Sequence, residues 1–191
     1  MNIGIIATRY ATALLELVDE TGSGSVVVQQ VETVCRNLAG VPEFQRDIEN
    51  PSVPASRKIG LFDASLEGKM APDLRKFVGL LVRNGRVGYA RRVFMTFINE
   101  YYRSRHIKRA TLIIADPELL TSVSGRPSLE SRLRTLIEKE TGDGLILKTK
   151  VDPSLIGGFV FEVEDTVLDA SVLRQIDVIR HQLKEMNRRI V

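Results

Sequence analysis

For its first hundred residues the chain repeats apolar side chains at three- and four-residue intervals, the spacing of one helix face, with almost no strand-like alternation. The spacing predicts a first helix from about Ile3 to Val18. On it Ile3, Ile6, Ala7, Tyr10, Ala11, Ala13, Leu14, Leu15, Leu17 and Val18 fall in one arc. That arc is about 200° wide, against the roughly 100° stripe that a single core contact needs. Either the helix is central to a bundle or part of its arc receives another chain. Thr21–Ser25 (TGSGS) ends it, and Val27, Val31, Val34 and Leu38 mark a second helix closed by Gly40 and Pro42. A short third helix runs from about Pro42 to Ile48. The Asn50–Pro51 break follows, and a fourth helix starts at Ser52 or Pro54 with Ile59, Leu61, Phe62 and Leu66 on one side. The fifth, about Ala71–Arg83, again has an apolar arc about 200° wide, because Leu80 lies beyond the stripe of Leu74, Phe77, Val78 and Leu81. Asn84–Gly85 is its stop signal, and a sixth helix carries Val93, Phe94, Phe97, Ile98 and Tyr101.

From His106 the pattern changes. Ala110–Ala115 reads as a short buried strand, and Asp116–Pro127 as a long connection. A helix follows from about Ser128 to Thr141, and then a second strand over Leu145–Val151. In Val151–Ser171 the alternation sets Phe159, Phe161 and Val163 on one face and Glu162 and Glu164 on the other, entered through Gly157–Gly158. Asp165–Thr166 reverses the chain into Val167–Leu168, and Ser171 is placed to cap a terminal helix packed on this hairpin. That helix has a stripe of Val172, Ile176, Ile179, Leu183, Met186 and Ile190. The expected fold is therefore mainly α: an N-terminal six-helix bundle over 1–105, followed by a small α+β C-terminal domain over 106–191.

Composition changes this picture little. A hydrophobic share of 43% and a charged share of 27% are those of a globular protein, and no apolar run reaches the roughly 18 residues of a membrane span. The N-terminus has neither a secretory nor a transit pattern, and the single cysteine, Cys35, has no disulfide partner, which points to a reducing, cytoplasmic setting. The formal charge of +3 comes from 1–105, with 14 basic and 11 acidic residues; 106–191 is balanced. A cluster stands at Arg83, Arg86, Arg91 and Arg92, and a solvated surface accounts for it.

Candidate chemistry is sparse. His106 and His181 lack metal-ligand companions, and Cys35 sits beside an apolar helix face. Gly157–Gly158 precedes a strand, whereas a phosphate loop follows one and opens a helix. Asp165 and Asp169 read as turn and cap residues without a general-acid partner. The residues point to no enzyme, no cofactor and no metal. A basic helical nucleic-acid-binding adaptor is the alternative, resting on Arg83, Arg86, Arg91, Arg92, Arg103, Arg105, Lys108 and Arg109, but it lacks aromatic interleaving.

Several blocks taken together resemble the delta subunit of bacterial F-type ATP synthase, the equivalent of the mitochondrial oligomycin-sensitivity-conferring protein. They are RYATALLEL (Arg9–Leu17), NPSVPASRKIGLFD (Asn50–Asp63), FVGLLVRNGR (Phe77–Arg86), FINEYY (Phe97–Tyr102) and DPSLIGGFVFEV with LDAS (Asp152–Ser171). The resemblance spans nearly the whole chain and implies a stator component that links catalytic head to peripheral stalk without catalysis. It implies an N-terminal domain receiving the N-terminal helices of alpha subunits, with beta as a further head partner, in a groove between the first and fifth helices. Ala7, Ala11, Leu14, Leu15, Phe77, Leu80 and Leu81 are the expected groove residues. It further implies a C-terminal domain holding the b subunits, and a location peripheral to the cytoplasmic face of a bacterial inner membrane. The Asp116–Pro127 connection is longer and more Ser-rich than the family's usual join, so no contact residues are carried over there.

Overall fold

The computed structural model describes residues 3–117, 128–164 and 166–188, and side chains within these except those of Ile3, Glu140 and 182–188. The chain separates into two compact units, Met1–Ser104 and Arg105–Val191.

In the first unit, α1 (Ile3–Thr21), α2 (Gly24–Gly40), α3 (Pro42–Glu49), α4 (Ala55–Ser65), α5 (Pro72–Arg83) and α6 (Ala90–Ser104) form the expected bundle, with a 3-10 turn at Val87–Tyr89 before α6. The stops follow the chain's local chemistry. After α5, Gly85 takes φ 63°, its N–H reaches Val82 O at 3.1 Å and the Arg86 N–H reaches Leu81 O at 2.8 Å. This closes the helix with a paired-carbonyl cap that a left-handed glycine permits. Side chains then tie helices together: Gln30 on α2 donates to Lys69 O at 2.7 Å and accepts from the Ala71 N–H at 2.8 Å, fixing the approach to α5.

The core of the bundle is organised by aromatic rings. Phe44 on α3 meets Phe62 on α4 edge-on at 5.3 Å, and Phe62 meets Phe94 on α6 at 6.2 Å. Phe94 meets Phe77 on α5 at 6.2 Å, and Phe77 meets Tyr10 on α1 at 6.3 Å. Five helices are linked by this run, with Val18, Val27, Val31, Leu74 and Leu81 filling around it, all fully buried. Each fully buried side chain of this size contributes about 1.5–3 kcal/mol by leaving water.

The second unit is a mixed four-stranded sheet of order β2-β1-β3-β4: β1 (Ile107–Ile114), β2 (Gly144–Val151), β3 (Phe159–Val163) and β4 (Thr166–Asp169). β1 is central, parallel to β2 with Ala110 opposite Leu147, and antiparallel to β3 with Leu112 opposite Phe161. α7 (Leu129–Thr141) is the crossover that a parallel pair requires. Its Leu133 and Ile137 cover Ala110, Leu112, Ile114, Leu145, Phe161 and Val163. The predicted alternation of Phe159, Phe161 and Val163 against Glu162 is observed. β1 and β2 begin earlier than the apolar runs suggest, because Ile107–Arg109 pair in register with Gly144–Ile146. Asp165 and most of the Asp116–Pro127 connection lie outside the described residues.

One packing expectation is corrected. α8 (Val172–Arg188) is not seated broadly on the hairpin: Val172, Leu173, Val178 and Ile179 are exposed and Ile176 is half-buried. It is held at its first turn, where the Val172 N–H donates to Gly157 O at 3.0 Å and Ser171 Oγ accepts from the Arg174 N–H at 3.2 Å. Gly158 makes the close approach possible. It has φ 78°, and a Cβ there would lie 2.2 Å from Ala170 O. The Leu183 and Met186 side chains and Ile190, which complete the expected stripe, lie outside the described residues.

Candidate functional site

α1 and α5 run antiparallel. Ser23, just after α1, donates to Asp73 Oδ2 at 2.9 Å at the start of α5, while Asn84 at the end of α5 donates to Tyr10 Oη at 3.0 Å. Between these clamps the two wide apolar arcs are adjacent. The structure divides the expected groove residues into two groups. Ala7, Ala11, Leu14, Phe77 and Leu81 are buried, each at most 4% exposed, and belong to the bundle's own core. Leu80, 37% exposed, is the α5 residue at the surface. Leu15 is half-buried, but it points about 140° around the helix from Tyr10, away from the α5 side.

The α1 flank towards α5 instead carries Ile6, Tyr10, Ala13 and Leu17, spaced at three and four residues. Ile6, Tyr10 and Leu17 are half-buried and Ala13 is exposed. Residue choice alone did not single these four out. Their signal was present: they form the edge of the 200° arc, about 100° from the stripe of Ala7, Ala11, Leu14 and Val18. Together with Leu80 they make an apolar strip over a close-packed floor, with small Ala13 at mid-length. The alanines Ala7 and Ala11 belong instead to the bundle's buried core.

Electrostatics at the strip's ends are settled internally. The Asp73 carboxyl is held below the usual range, first by the Ser23 hydroxyl, then by Thr21 and by the Lys76 ammonium at 3.3 Å. Cys35 is buried on α2, and burial pushes its thiol up to about 11, so it is a poor nucleophile at neutral pH.

The second unit leaves more apolar surface open. Beside α8 lies a cleft of about 540 Å³ bordered by Leu155, Asp169, Leu173, Arg174, Val178 and His181. Asp169 is occupied as a cap: it accepts from the Ser171 N–H at 3.0 Å, and its carboxyl is held low first by the Ser171 hydroxyl, then by this N–H and by Arg174, with Nη1 at 3.7 Å. A charged, engaged carboxylate is a poor proton donor at neutral pH. His181 is exposed, and His106 sits at the surface with Nδ1 3.4 Å from Asp143. Among the described residues no three His, Cys, Asp or Glu side chains cluster as metal ligands, and no helix is long and apolar enough to cross a membrane.

Apolar strips on two separate units, with the polar groups beside them engaged as caps and clamps, define a docking protein. The comparisons make the class specific. The family model for the ATP synthase delta (OSCP) subunit matches residues 6–183, and the chain belongs to that family. It is thus a stator-type ATP synthase subunit. ATP synthase subunit delta of Phocaeicola vulgatus is 33% identical over 192 residues, covering all of both chains. That of Bacteroides fragilis is 30% identical over 193 residues with the same coverage. That of Heliobacterium modesticaldum is 30% identical over 184 residues, 96% of this chain and 95% of the relative. Among solved structures, a chain of the Toxoplasma gondii mitochondrial ATP synthase hexamer superposes with a TM-score of 0.61 at 22% identity. The superposition covers 93% of this chain and 96% of that one, a likeness of fold. Nothing in the family or the fold supports the nucleic-acid adaptor.

Proposed function

We propose that the chain is a non-catalytic bracket, its N-terminal part (1–105) gripping the catalytic head and its C-terminal part (106–191) the peripheral stalk. The head partner is an N-terminal helix of an alpha subunit, or of alpha and beta, laid along the α1–α5 strip. Ile6, Tyr10, Ala13, Leu17 and Leu80 contact it, and Ala7, Ala11, Leu14, Phe77 and Leu81 hold those side chains in place from beneath; Leu15, which points away from α5, takes no part. The stalk partner is the end of the b subunits, which would cover the open apolar side of α8. The complex as a whole would place the chain at the cytoplasmic face of a bacterial inner membrane, attached through its partners. A stator resists torque from the turning rotor, which demands slow dissociation, and apolar helix-in-groove contact supplies it.

The observation that carries this reading is the α1 flank of Ile6, Tyr10, Ala13 and Leu17, which is apolar, regularly spaced and left partly open by a bundle whose core is otherwise closed. Leu80→Asp places a charge on that strip at its most exposed α5 position, 37% exposed, so the cost to stability, from helix propensity and the helix dipole, is about 1 kcal/mol. Affinity for an alpha N-terminal peptide, measured by calorimetry, falls at least about tenfold, or about 1.4 kcal/mol. Unchanged affinity in a folded variant removes the α1–α5 strip from the head contact.

A further inference from the structure

The small sheet ends on one side in a long strand that lacks a second neighbour: β2 is bonded to β1 alone. The Gly144 N–H donates to His106 O at 2.8 Å, and at the far end the Asp152 N–H donates to Ile114 O at 2.8 Å. Alternate residues of a paired strand aim their backbone groups to the same side, so Ile146, Lys148 and Lys150 face β1 together with these two. Leu145, Leu147, Thr149 and Val151 therefore turn their N–H and C=O groups away from the sheet. Among the described residues no hydrogen bond reaches these outward groups. Leu145 is buried with Leu133 and Ile137 of α7, but Leu147 is half-buried and Thr149 and Val151 are exposed, so the edge is open from Leu147 onwards.

The charges beside this edge have one sign. Ile146, Lys148 and Lys150 stand exposed on the face away from α7, and Arg109 of β1 is paired with Ile146 on that face. Among the described residues neither lysine forms an ion pair. The carboxylates at the two ends of β2 are engaged: Asp143 lies 3.4 Å from His106 Nδ1 and 3.8 Å from Lys108 Nζ, and Asp152 accepts from the Ser154 N–H at 2.9 Å. Lysines on an edge keep like strands from pairing, and two copies joined twofold along β2 would set these lysines across from one another. The same charges suit an acidic strand. We propose that the free edge of β2 takes up an extended segment of a partner protein as a fifth strand of the sheet, one that alternates acidic with β-branched residues. The outward groups of Leu147, Thr149 and Val151 would bond its backbone. Its carboxylates would lie on the side of Lys148 and Lys150, and its apolar side chains beside Leu147 and Val151.

The test uses the full chain, isotope-labelled, with backbone amides followed by NMR. It is titrated at fixed ionic strength with the end-blocked peptide Ser-Val-Glu-Val-Glu-Val-Ser or with its counterpart carrying lysine for glutamate. Saturable shifts and slowed hydrogen exchange at Leu147, Thr149 and Val151 are expected with the glutamate peptide, and binding at least about tenfold weaker with the lysine one. Lys148→Glu combined with Lys150→Glu reverses that preference. Thr149→Pro removes an outward N–H and leaves the ladder to β1 whole, so it abolishes the response while the β1 amides stay protected. An equal response to both peptides, no saturation, or an unreversed preference in the charge-swapped chain overturns the proposal. So does an undiminished response in Thr149→Pro, which would be charge attraction without a strand. Concentration-dependent shifts of the same amides without peptide would give the edge to a second copy, and overturn it too. None of these outcomes touches the stator reading, which rests on the α1–α5 strip and on α8.

Discussion

The two units solve the same problem of burying apolar side chains to different degrees. Among the described residues, 26 buried hydrophobic side chains form the core of the helical unit, and eight form that of the α+β unit. Exposed large hydrophobics run the other way, five on the first unit and ten on the second. A helix bundle can enclose its core from all sides, whereas a sheet covered by α7 alone buries one face. The second unit thus leaves more of its apolar surface open, and its own stability rests on a smaller core. In the first unit the surplus is narrow and linear, the shape that suits one helix. In the second it is spread over α8, β4 and the outer face of β2, where Ile146 is exposed.

The contrast can be broken most forcefully in the cores. Leu112→Asp sets a charge into the fully buried centre of the small sheet, and Phe94→Ala removes a ring at the hub of the aromatic run. The first unfolds the second unit outright; the second costs about 3–5 kcal/mol yet leaves the bundle folded. Hydrogen exchange followed residue by residue reports the outcome, and loss of protection in both units from Leu112→Asp would show that they do not fold separately. Gly158→Ala comes next, since its Cβ meets Ala170 O and its φ is positive; it should release the start of α8, seen as faster exchange at the Val172 amide.

Smaller effects sharpen the comparison. Leu173→Ser with Ile179→Ser on exposed α8 should shift the melting temperature little while abolishing capture of a fragment from the C-terminal end of b. Retained capture would separate α8 from the stalk contact. The smallest effect is electrostatic and confined to the bundle. Asp73 has its pKa lowered on folding, so its stabilisation is complete above the ordinary aspartate value and is lost as pH falls through the depressed one. Acid should weaken the bundle below about pH 4, and Ser23→Ala, which removes the leading cause, should make that loss smaller. An identical acid profile in that variant would place the acid-sensitive group elsewhere.

Element type was legible in the residues because local spacing decides it. Periods of 3.6 over the first hundred residues and of 2 in Phe159–Val163 were satisfied where the chain placed them, and Gly85 and Ser171 end and start helices as their chemistry dictates. The excess width of the α1 and α5 arcs was legible too. Which part of each arc stays open was not, because that depends on which neighbours pack against it. Ala7, Ala11 and Leu14 are taken into the bundle core and Phe77 into the aromatic run, so Ile6, Tyr10, Ala13, Leu17 and Leu80 are left at the surface. The placement of α8 was likewise undecidable along the chain, since an amphipathic stripe records that a helix wants a partner and not whether that partner is its own sheet. Periodicity is a property of one segment and is carried by the sequence itself; exposure is a property of pairs of segments and exists only once they are packed.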